Sequence, residues 1–428
     1  MTDSATIRTI DDLQSRLAGR RIYLWGARQL GFSVRQALTR AGLSPAAFLD
    51  RSPDLIGRRV DGLPVLDPAE ILDNPGADKG PGREGAFIII TSGFFYTEIA
   101  ARCRAAGLIE GRDFLEAAKL QRFDYQIDVS GACNLRCISC PRGNFRPQPP
   151  AGFMSPETFE AVLDKIQRED PLVGAVALYN FGEPLLHPRL PELIRLARGR
   201  GILSAVSTNL NFQLDFSEVV KAGPAWFRVS TSGWGDSYEV THTGGRWPLF
   251  LANLTHLAEL RDELAPDLNV EVFYHIYRDR RDDFLKMRDL CEGLGFTLRL
   301  RHAALAPLDV VMDVVRGRPL SPEAEATRAL QILPIEEALE LARQQRELPC
   351  PYLRCLWITW DLKVRQCMEW FGPELDLRPD FLSASLEEIS AARAESPHCR
   401  ECRAEALHRC YVVYGDETLI EERQSLAG

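Results

Sequence analysis

The chain has 428 residues, 45% hydrophobic and 26% charged, with 51 basic side chains against 60 acidic for a net charge of −9. Those values exclude a disordered, collagenous or coiled-coil polypeptide and suit two or three packed domains. An acidic balance without a Lys/Arg block argues against nucleic acid as a partner, and no apolar run reaches the ~18 residues that a membrane span needs.

The opening Met1-Thr2-Asp3-Ser4 lacks the basic-then-apolar pattern of a signal peptide. A cytoplasmic location is therefore expected, where thiols stay reduced. Eleven cysteines then need another reason than disulfides, and nine of them fall in two groups: Cys133, Cys137 and Cys140, and six from Cys350 to Cys410. Reduced, clustered cysteines read as metal or iron–sulfur ligands.

Residues 18–120 read as a Rossmann-like α/β unit. Arg21-Ile22-Tyr23-Leu24-Trp25 is a buried-strand run, followed by a turn with Gly26, Arg28 and Gly31 and then a helix to about Gly42. Ala47-Phe48-Leu49 ends on Asp50, and Phe87-Ile88-Ile89-Ile90 runs into Thr91-Ser92-Gly93. The stretch 74–82 between them is too rich in Gly and Pro for a packed element and reads as a surface loop. Gly26-x4-Gly31 keeps the outer glycines of a dinucleotide fingerprint but has Arg28 in the middle position. Gly26, Arg28, Gly31 and Asp50 are thus candidates for a nucleotide or phosphate, and the alternative is a docking domain without ligand.

Residues 121–305 alternate strand and helix, with strands expected at 123–129, 175–179, 203–206, 226–230, 270–275 and 297–300. Ser155 and Pro156 open one helix whose stripe is Phe159, Val162, Leu163 and Ile166. Six β/α repeats are two short of a full barrel, so an open, partial (β/α)6 TIM barrel fits. Residues 306–347, broken by Pro307, Pro319, Pro322 and Pro334, read as a helical connector, and 348–428 as a cysteine-rich domain.

Directly after the first barrel strand, Cys133, Cys137 and Cys140 are spaced C-x3-C-x2-C. Three thiolates on one loop can hold three corners of a 4Fe–4S cluster and leave the fourth iron open. A zinc site borrowing a distant fourth ligand is the alternative.

Further motifs follow in order. Gly152-Phe153-Met154-Ser155 comes after the cysteine loop, Phe181-Gly182-Glu183-Pro184 after the second strand and Ser207-Thr208-Asn209 after the third. With the triplet, these resemble the radical S-adenosylmethionine enzymes over about residues 121–305. Phe181 replaces the first glycine of the family's GGEP motif, Ser139 stands where an aromatic is usual, and Val229-Ser230-Thr231-Ser232-Gly233 lacks the usual aspartate. The resemblance implies that Cys133, Cys137 and Cys140 ligate the cluster, that Gly182 and Glu183 contact the methionine amine, and that Ser207 and Asn209 bond ribose or carboxylate oxygens. It implies reductive cleavage of S-adenosylmethionine to a 5′-deoxyadenosyl radical, with electrons from a donor such as flavodoxin or ferredoxin.

The C-terminal cysteines resemble the family's SPASM/twitch extension. Cys350, Cys367, Cys399 and Cys402 fit one auxiliary 4Fe–4S cluster, with Cys355 and Cys410 as alternates and Leu362 where a hairpin glycine is expected. A zinc ribbon is the alternative. Cys103 and Cys291, at apolar helical spacing, read as small buried hydrophobes, although a thiol facing the barrel can return a hydrogen atom. On the fifth barrel strand, alternation sets Glu271, Phe273 and His275 on one face and Tyr274 on the other. Tyr274, His275 and Cys291 are the weak catalytic candidates. With no leader-binding winged helix in the pattern, a small polar substrate (a sugar, cyclitol or nucleotide-linked molecule) is favoured over peptide crosslinking or epimerisation. A non-catalytic iron–sulfur or zinc scaffold is the rival of another class.

Overall fold

The computed structural model describes residues 7, 9–53, 55–73, 85–92, 95–144, 150–278, 281–372, 376–377, 380–394, 396–416 and 419–420. Met1–Ser4, Gly93 and the expected loop at 74–82 lie outside the described residues. The chain divides into two compact units: Met1–Asp124 with Val162–Val176 and Ala197–Leu203, and Tyr125–Ala161 with Ala177–Leu196 and Ser204–Gly428.

The first unit holds a six-stranded sheet of β1 (Arg21–Trp25), β2 (Ala47–Leu49), β3 (Arg59–Val60), β4 (Leu63–Leu66), β5 (Ala86–Ile90) and β6 (Phe114–Glu116), in the order β3-β4-β2-β1-β5-β6. The strands pair in parallel except β3 with β4, which are antiparallel. Both faces of β1 are covered: Ile22 and Leu24 enter one core, Tyr23 and Trp25 the other. That double burial is why the run reads as continuously apolar. Gly26 has φ +124°, and a Cβ on Gly31 would lie 2.1 Å from the Gly26 carbonyl oxygen. Both glycines are therefore required by the tight passage from β1 into the helix Gln29–Arg40.

The other sheet has nine strands in the order β12-β11-β10-β9-β8-β7-β13-β14-β15. Its barrel strands are β7 (Asp124–Asp128), β8 (Ala175–Ala177), β9 (Leu203–Thr208), β10 (Trp226–Thr231), β11 (Asn269–Ile276) and β12 (Thr297–His302). They lie in sequence order, and β9 to β12 pair in parallel, so the six form an open partial barrel. Val229, Val272 and Tyr274 are fully buried on one face, while Arg228, Ser230, Glu271 and Phe273 share the other, interior face. Beyond β7 the C-terminal segment extends the sheet with β13 (Cys355–Thr359), β14 (Val364–Arg365) and β15 (Asp376–Leu377), joined antiparallel.

Residues 306–347 do more than connect. Leu308, Val311, Met312, Ile335, Ala338 and Leu339 pack with Leu407, Tyr411 and Tyr414 in one core. Pro307 and Pro334 are N-caps and Pro322 is the first residue of its helix, positions where a missing N–H costs nothing. No helix among the described residues is long and apolar enough to cross a membrane.

Candidate active site

The cysteine triplet lies on the loop after β7, and backbone bonds hold that loop. Arg136 N donates to Thr243 O at 2.9 Å and Ile138 N to Thr241 O at 3.1 Å, while Thr327 Oγ1 donates to Ile138 O at 2.8 Å. Trp360 lies over the loop's entry: a Cβ on Gly131 or Gly152 would come within 2.3 Å of its ring, and its Nε1 donates to Pro150 O at 3.3 Å.

Burial pushes the Cys133 thiol up to about 12, with the Glu183 charge adding. Cys137 is driven well above the ordinary thiol range by burial and then by Cys140 and Cys133, and Cys140 rises for the same first cause. Opposing this, Leu135 N–H donates to Cys133, the N–H groups of Arg142 and Gly143 donate to Cys140, and the Arg142 guanidinium attracts both thiolates. Three thiols on one loop, with N–H donors and a guanidinium beside them to favour the thiolate form, are a donor set that fits a cationic iron–sulfur group. Among the described residues, no group of three or more His, Cys, Asp or Glu side chains is arranged to hold a single metal ion.

The segment Tyr179-Asn180-Phe181-Gly182-Glu183 leaves β8 and folds over the end of β7. Asp128, buried at that end, accepts from the N–H groups of Gly182 (3.2 Å), Phe181 and Asn180, and burial pushes its carboxyl up to about 6. A Cβ on Gly182 would lie 1.6 Å from Ser130 O, so backbone proximity demands this glycine. Phe181 packs edge-on against Trp357 and Phe371 at 5.3 and 5.2 Å.

Glu183 N donates to Ala132 O at 2.7 Å, tying this segment to the cysteine loop. Its carboxylate accepts from Leu185 N at 3.0 Å, Asn209 N at 2.8 Å and the Thr208 hydroxyl, and burial pushes it up to about 7. A carboxylate offers about four lone-pair sites, so three bonds leave room for one ammonium donor. Asn209 Nδ2 donates to Asn134 Oδ1 at 2.9 Å and to Cys133 Sγ at 3.7 Å, and its Oδ1 accepts from Asn211 N at 2.9 Å. In this structure Asn209 therefore latches the cysteine loop. Ser207 Oγ stands 3.4 Å from Ser230 Oγ on the interior face. Sequence reasoning missed the Asn134–Asn209–Asn211 chain, which ends on Tyr238 and the Arg246 carbonyl. Its signal was the pair of asparagines two residues apart after β9. Tyr277 donates to Ser139 at 2.9 Å, bringing a ring beside the position that lacks an aromatic.

Tyr274 faces away from the interior, where its hydroxyl accepts from Gly233 N at 3.0 Å. His275 is on the interior side, edge-on to Phe273 at 5.1 Å, and burial followed by the Arg301 charge pushes it down to about 4. Cys291 is buried in the helix Arg281–Leu294, and burial pushes it up to about 12, as it does Cys103 in the helix Tyr96–Ala105.

In the C-terminal segment, Cys350 accepts from the N–H groups of Tyr352 and Leu353 and feels the charge of Cys399. Cys350 also acts on Cys402 and on Cys367, and Cys402 acts on Cys410. Gln366 Nε2 donates to Cys399 Sγ at 3.2 Å and Glu369 N to Cys367 Sγ at 3.5 Å. Arg393, not anticipated from sequence, is buried among them: it donates to the carbonyls of Gln366, Leu353 and Tyr352 and is attracted by Cys367, Cys355, Cys399 and Cys350.

In the first unit, Arg28 is exposed at the N-cap of the helix Gln29–Arg40. Asp50 accepts from Ala27 N at 3.1 Å and Ser52 N at 2.9 Å, so its carboxylate already holds the glycine turn.

No family model matches the chain. A curated relative, a tungsten-containing aldehyde ferredoxin oxidoreductase cofactor-modifying protein of Pyrococcus furiosus, is 29% identical over 83 residues, which are 19% of this chain and 22% of that protein. Among solved structures, anSMEcpe with bound AdoMet aligns with TM-score 0.45 and 15% identity over 65% of this chain and 82% of its own. Streptococcus suis SuiB bound to precursor peptide SuiA aligns with TM-score 0.46 and 12% identity over 73% and 80%. BtrN in complex with AdoMet and 2-DOIA aligns with TM-score 0.38 and 14% identity over 68% and 90%. The cysteine loop, glutamate segment and asparagine turn, gathered at the C-terminal ends of β7, β8 and β9, make this chain resemble a radical S-adenosylmethionine enzyme with a SPASM/twitch-type extension.

Proposed function

We propose that the chain is a radical S-adenosylmethionine enzyme that abstracts hydrogen from a small polar substrate (a sugar, cyclitol or nucleotide-linked molecule) in the course of its oxidation. The observation that carries this reading is Asn209, whose backbone N–H meets Glu183 and whose side chain meets Cys133, so that three separate motifs share one residue. Cys133, Cys137 and Cys140 would hold the 4Fe–4S cluster. When bound, that cluster with its open iron supplies the electron that splits S-adenosylmethionine into methionine and a 5′-deoxyadenosyl radical. Glu183, with one lone pair unspent, and the Gly182 backbone would receive the methionine ammonium; Ser207 faces the interior, where ribose or substrate would lie. Cys350, Cys367, Cys399 and Cys402 would hold one auxiliary cluster, with Arg393 offsetting part of the thiolate charge. A flavodoxin or ferredoxin would supply electrons, and reduced thiols suit a cytoplasmic setting. The N-terminal Rossmann-like unit, in which Arg28 projects from a helix start, supports a phosphorylated or nucleotide-linked substrate over a peptide.

The test is anaerobic turnover by reconstituted, dithionite-reduced protein, with a Cys133/Cys137/Cys140 triple-alanine variant beside it. 5′-Deoxyadenosine from the native chain alone is the expected result. An iron-loaded chain whose cluster spectrum is unmoved by S-adenosylmethionine, and which yields no 5′-deoxyadenosine, would return the protein to the scaffold class.

A further inference from the structure

Arg393 is a positive charge held out of water. It lies on the helix Leu386–Ala394 and is 2% exposed. Its Nε donates to Gln366 O at 3.0 Å, its Nη1 to Leu353 O at 3.1 Å and its Nη2 to Tyr352 O at 2.9 Å. A guanidinium stays charged at any working pH, and burial withholds the water that would solvate it. Neutral N–H donors could satisfy three carbonyls as well. What calls for a charge is the sulfur nearby.

Tyr352 and Leu353 lie between Cys350 and Cys355, and Gln366 directly precedes Cys367. The guanidinium draws the Cys350 and Cys367 thiols towards the thiolate form, and Cys355 and Cys399 attract it in turn. Gln366, 4% exposed, is its companion. The Gln366 Nε2 donates to Arg393 O at 3.1 Å and to Cys399 Sγ at 3.2 Å, so the two side chains hold each other by bonds in both directions. Glu369 N–H donates to Cys367 at 3.5 Å, the N–H groups of Tyr352 and Leu353 to Cys350, and the Trp370 indole and His408 N–H to Cys402. Each of the four thiols thus meets an N–H donor, which fits an iron–sulfur group whose sulfurs accept such bonds.

We propose that Arg393, oriented by Gln366, raises the reduction potential of the auxiliary cluster and so suits that site to taking up an electron. This rests on the reading of Cys350, Cys367, Cys399 and Cys402 given above, and adds to it the residue that sets the potential. Uptake of one electron makes and breaks no bond and moves no proton; it only deepens the negative charge on the cluster and its sulfurs. A fixed positive charge beside those sulfurs, and N–H groups donating to them, favour the reduced state. The low dielectric around a buried guanidinium strengthens the effect.

The experiment uses the full-length chain with Cys133, Cys137 and Cys140 replaced by alanine and reconstituted with iron and sulfide, so that the C-terminal cluster is measured by itself. Iron assay gives its loading, about four irons per chain, and dithionite titration followed by electron paramagnetic resonance gives its midpoint. Arg393→Gln is expected to lower the reduced-to-oxidised ratio at the parent's midpoint about ten-fold, a fall of about 59 mV for one electron. Arg393→Lys, which keeps a charge but loses the fork, should recover most of that fall. Gln366→Leu, which keeps the guanidinium and removes the bond to Cys399, should lower the ratio several-fold. Exposed Arg195→Gln serves as the unchanged control. A midpoint indifferent to Arg393→Gln overturns the inference, and so does an equal fall in Arg393→Lys, which would leave Arg393 a purely structural part. If Arg393→Gln takes up no iron, the other two variants decide. A retained midpoint in Arg393→Lys with a lowered one in Gln366→Leu supports the inference, and an unmoved midpoint in Gln366→Leu overturns it. A C-terminal site that takes zinc, or no iron, overturns the cluster reading and the inference together; a loaded cluster with an unmoved midpoint sinks the inference alone.

Discussion

Gly182→Ala and Gly293→Ala are one chemical change in opposite surroundings. At Gly182 the new methyl would sit 1.6 Å from Ser130 O and 2.8 Å from Asp128 Oδ1, and the first of these is backbone that has no rotamer to change. The 180–183 segment must move, which costs the ~1–3 kcal/mol typical of overpacking. Movement also breaks the Gly182 N–H bond to buried Asp128, a charge-assisted bond of about 1.5–3 kcal/mol. The sum is a loss of about 2.5–6 kcal/mol. At Gly293, inside the helix Arg281–Leu294, nothing lies within 4 Å of the added carbon, and alanine should gain about 0.5–1 kcal/mol. Urea unfolding of both variants, followed by far-UV circular dichroism, measures the pair. A Gly182→Ala protein within about 1 kcal/mol of wild type would refute the claim that backbone proximity fixes this glycine.

Other outcomes follow from the same structure. Burial holds His242 down at about 3 and His275 at about 4, below the ordinary 6.5, so below pH 6.5 the unfolded chain takes up protons that the folded chain refuses. Their contribution is whole above pH 6.5 and falls by about 1.4 kcal/mol per pH unit per histidine as pH drops towards 4; urea midpoints that stay level from pH 7 to 5 would contradict it. Leu362 has φ +67°, so Leu362→Gly should gain about 0.5 kcal/mol, relief of left-handed strain less the added chain entropy, while Leu362→Ile should lose about 1 kcal/mol in the same melts. Cys350→Ser should cost about four irons per chain by iron assay, because Cys350 shares an electrostatic environment with Cys367, Cys399 and Cys402.

The barrel was legible because its signal is long-wavelength: six apolar runs separated by helical stripes survive errors of one or two residues at each end. The glycine turn after Trp25 was legible for the same reason, a strong local rule. The short pairs β3, β14 and β15 carry two residues each, too few for any period, and owe their existence to partners distant in sequence. The prolines of 306–347 misled because a proline at a helix start and one that breaks a helix look alike until the caps are known. In the site, the cysteine triplet stood out by its spacing, and Gly182 and Glu183 by their resemblance to a family motif. What each does locally could not be read: that Glu183 ties to the asparagine turn and that Arg393 is buried among thiols are facts of tertiary packing between segments distant in sequence. Leu362 was noticed as a leucine in a glycine's place, and its backbone has kept the glycine's conformation.

The indole of Trp360 has a consequence for how the molecule is made. It reaches back 210 residues to Pro150 and covers Gly131 and Gly152, which bracket the triplet on either side. During synthesis the loop bearing the first three cysteines leaves the ribosome long before its cover does. At ~5–20 residues per second, some ten to forty seconds pass before the hairpin can close over it. The loop's final enclosure is thus written into the far end of the polypeptide, and a chain ended before β13 would carry every residue of the triplet without the lid that shelters it.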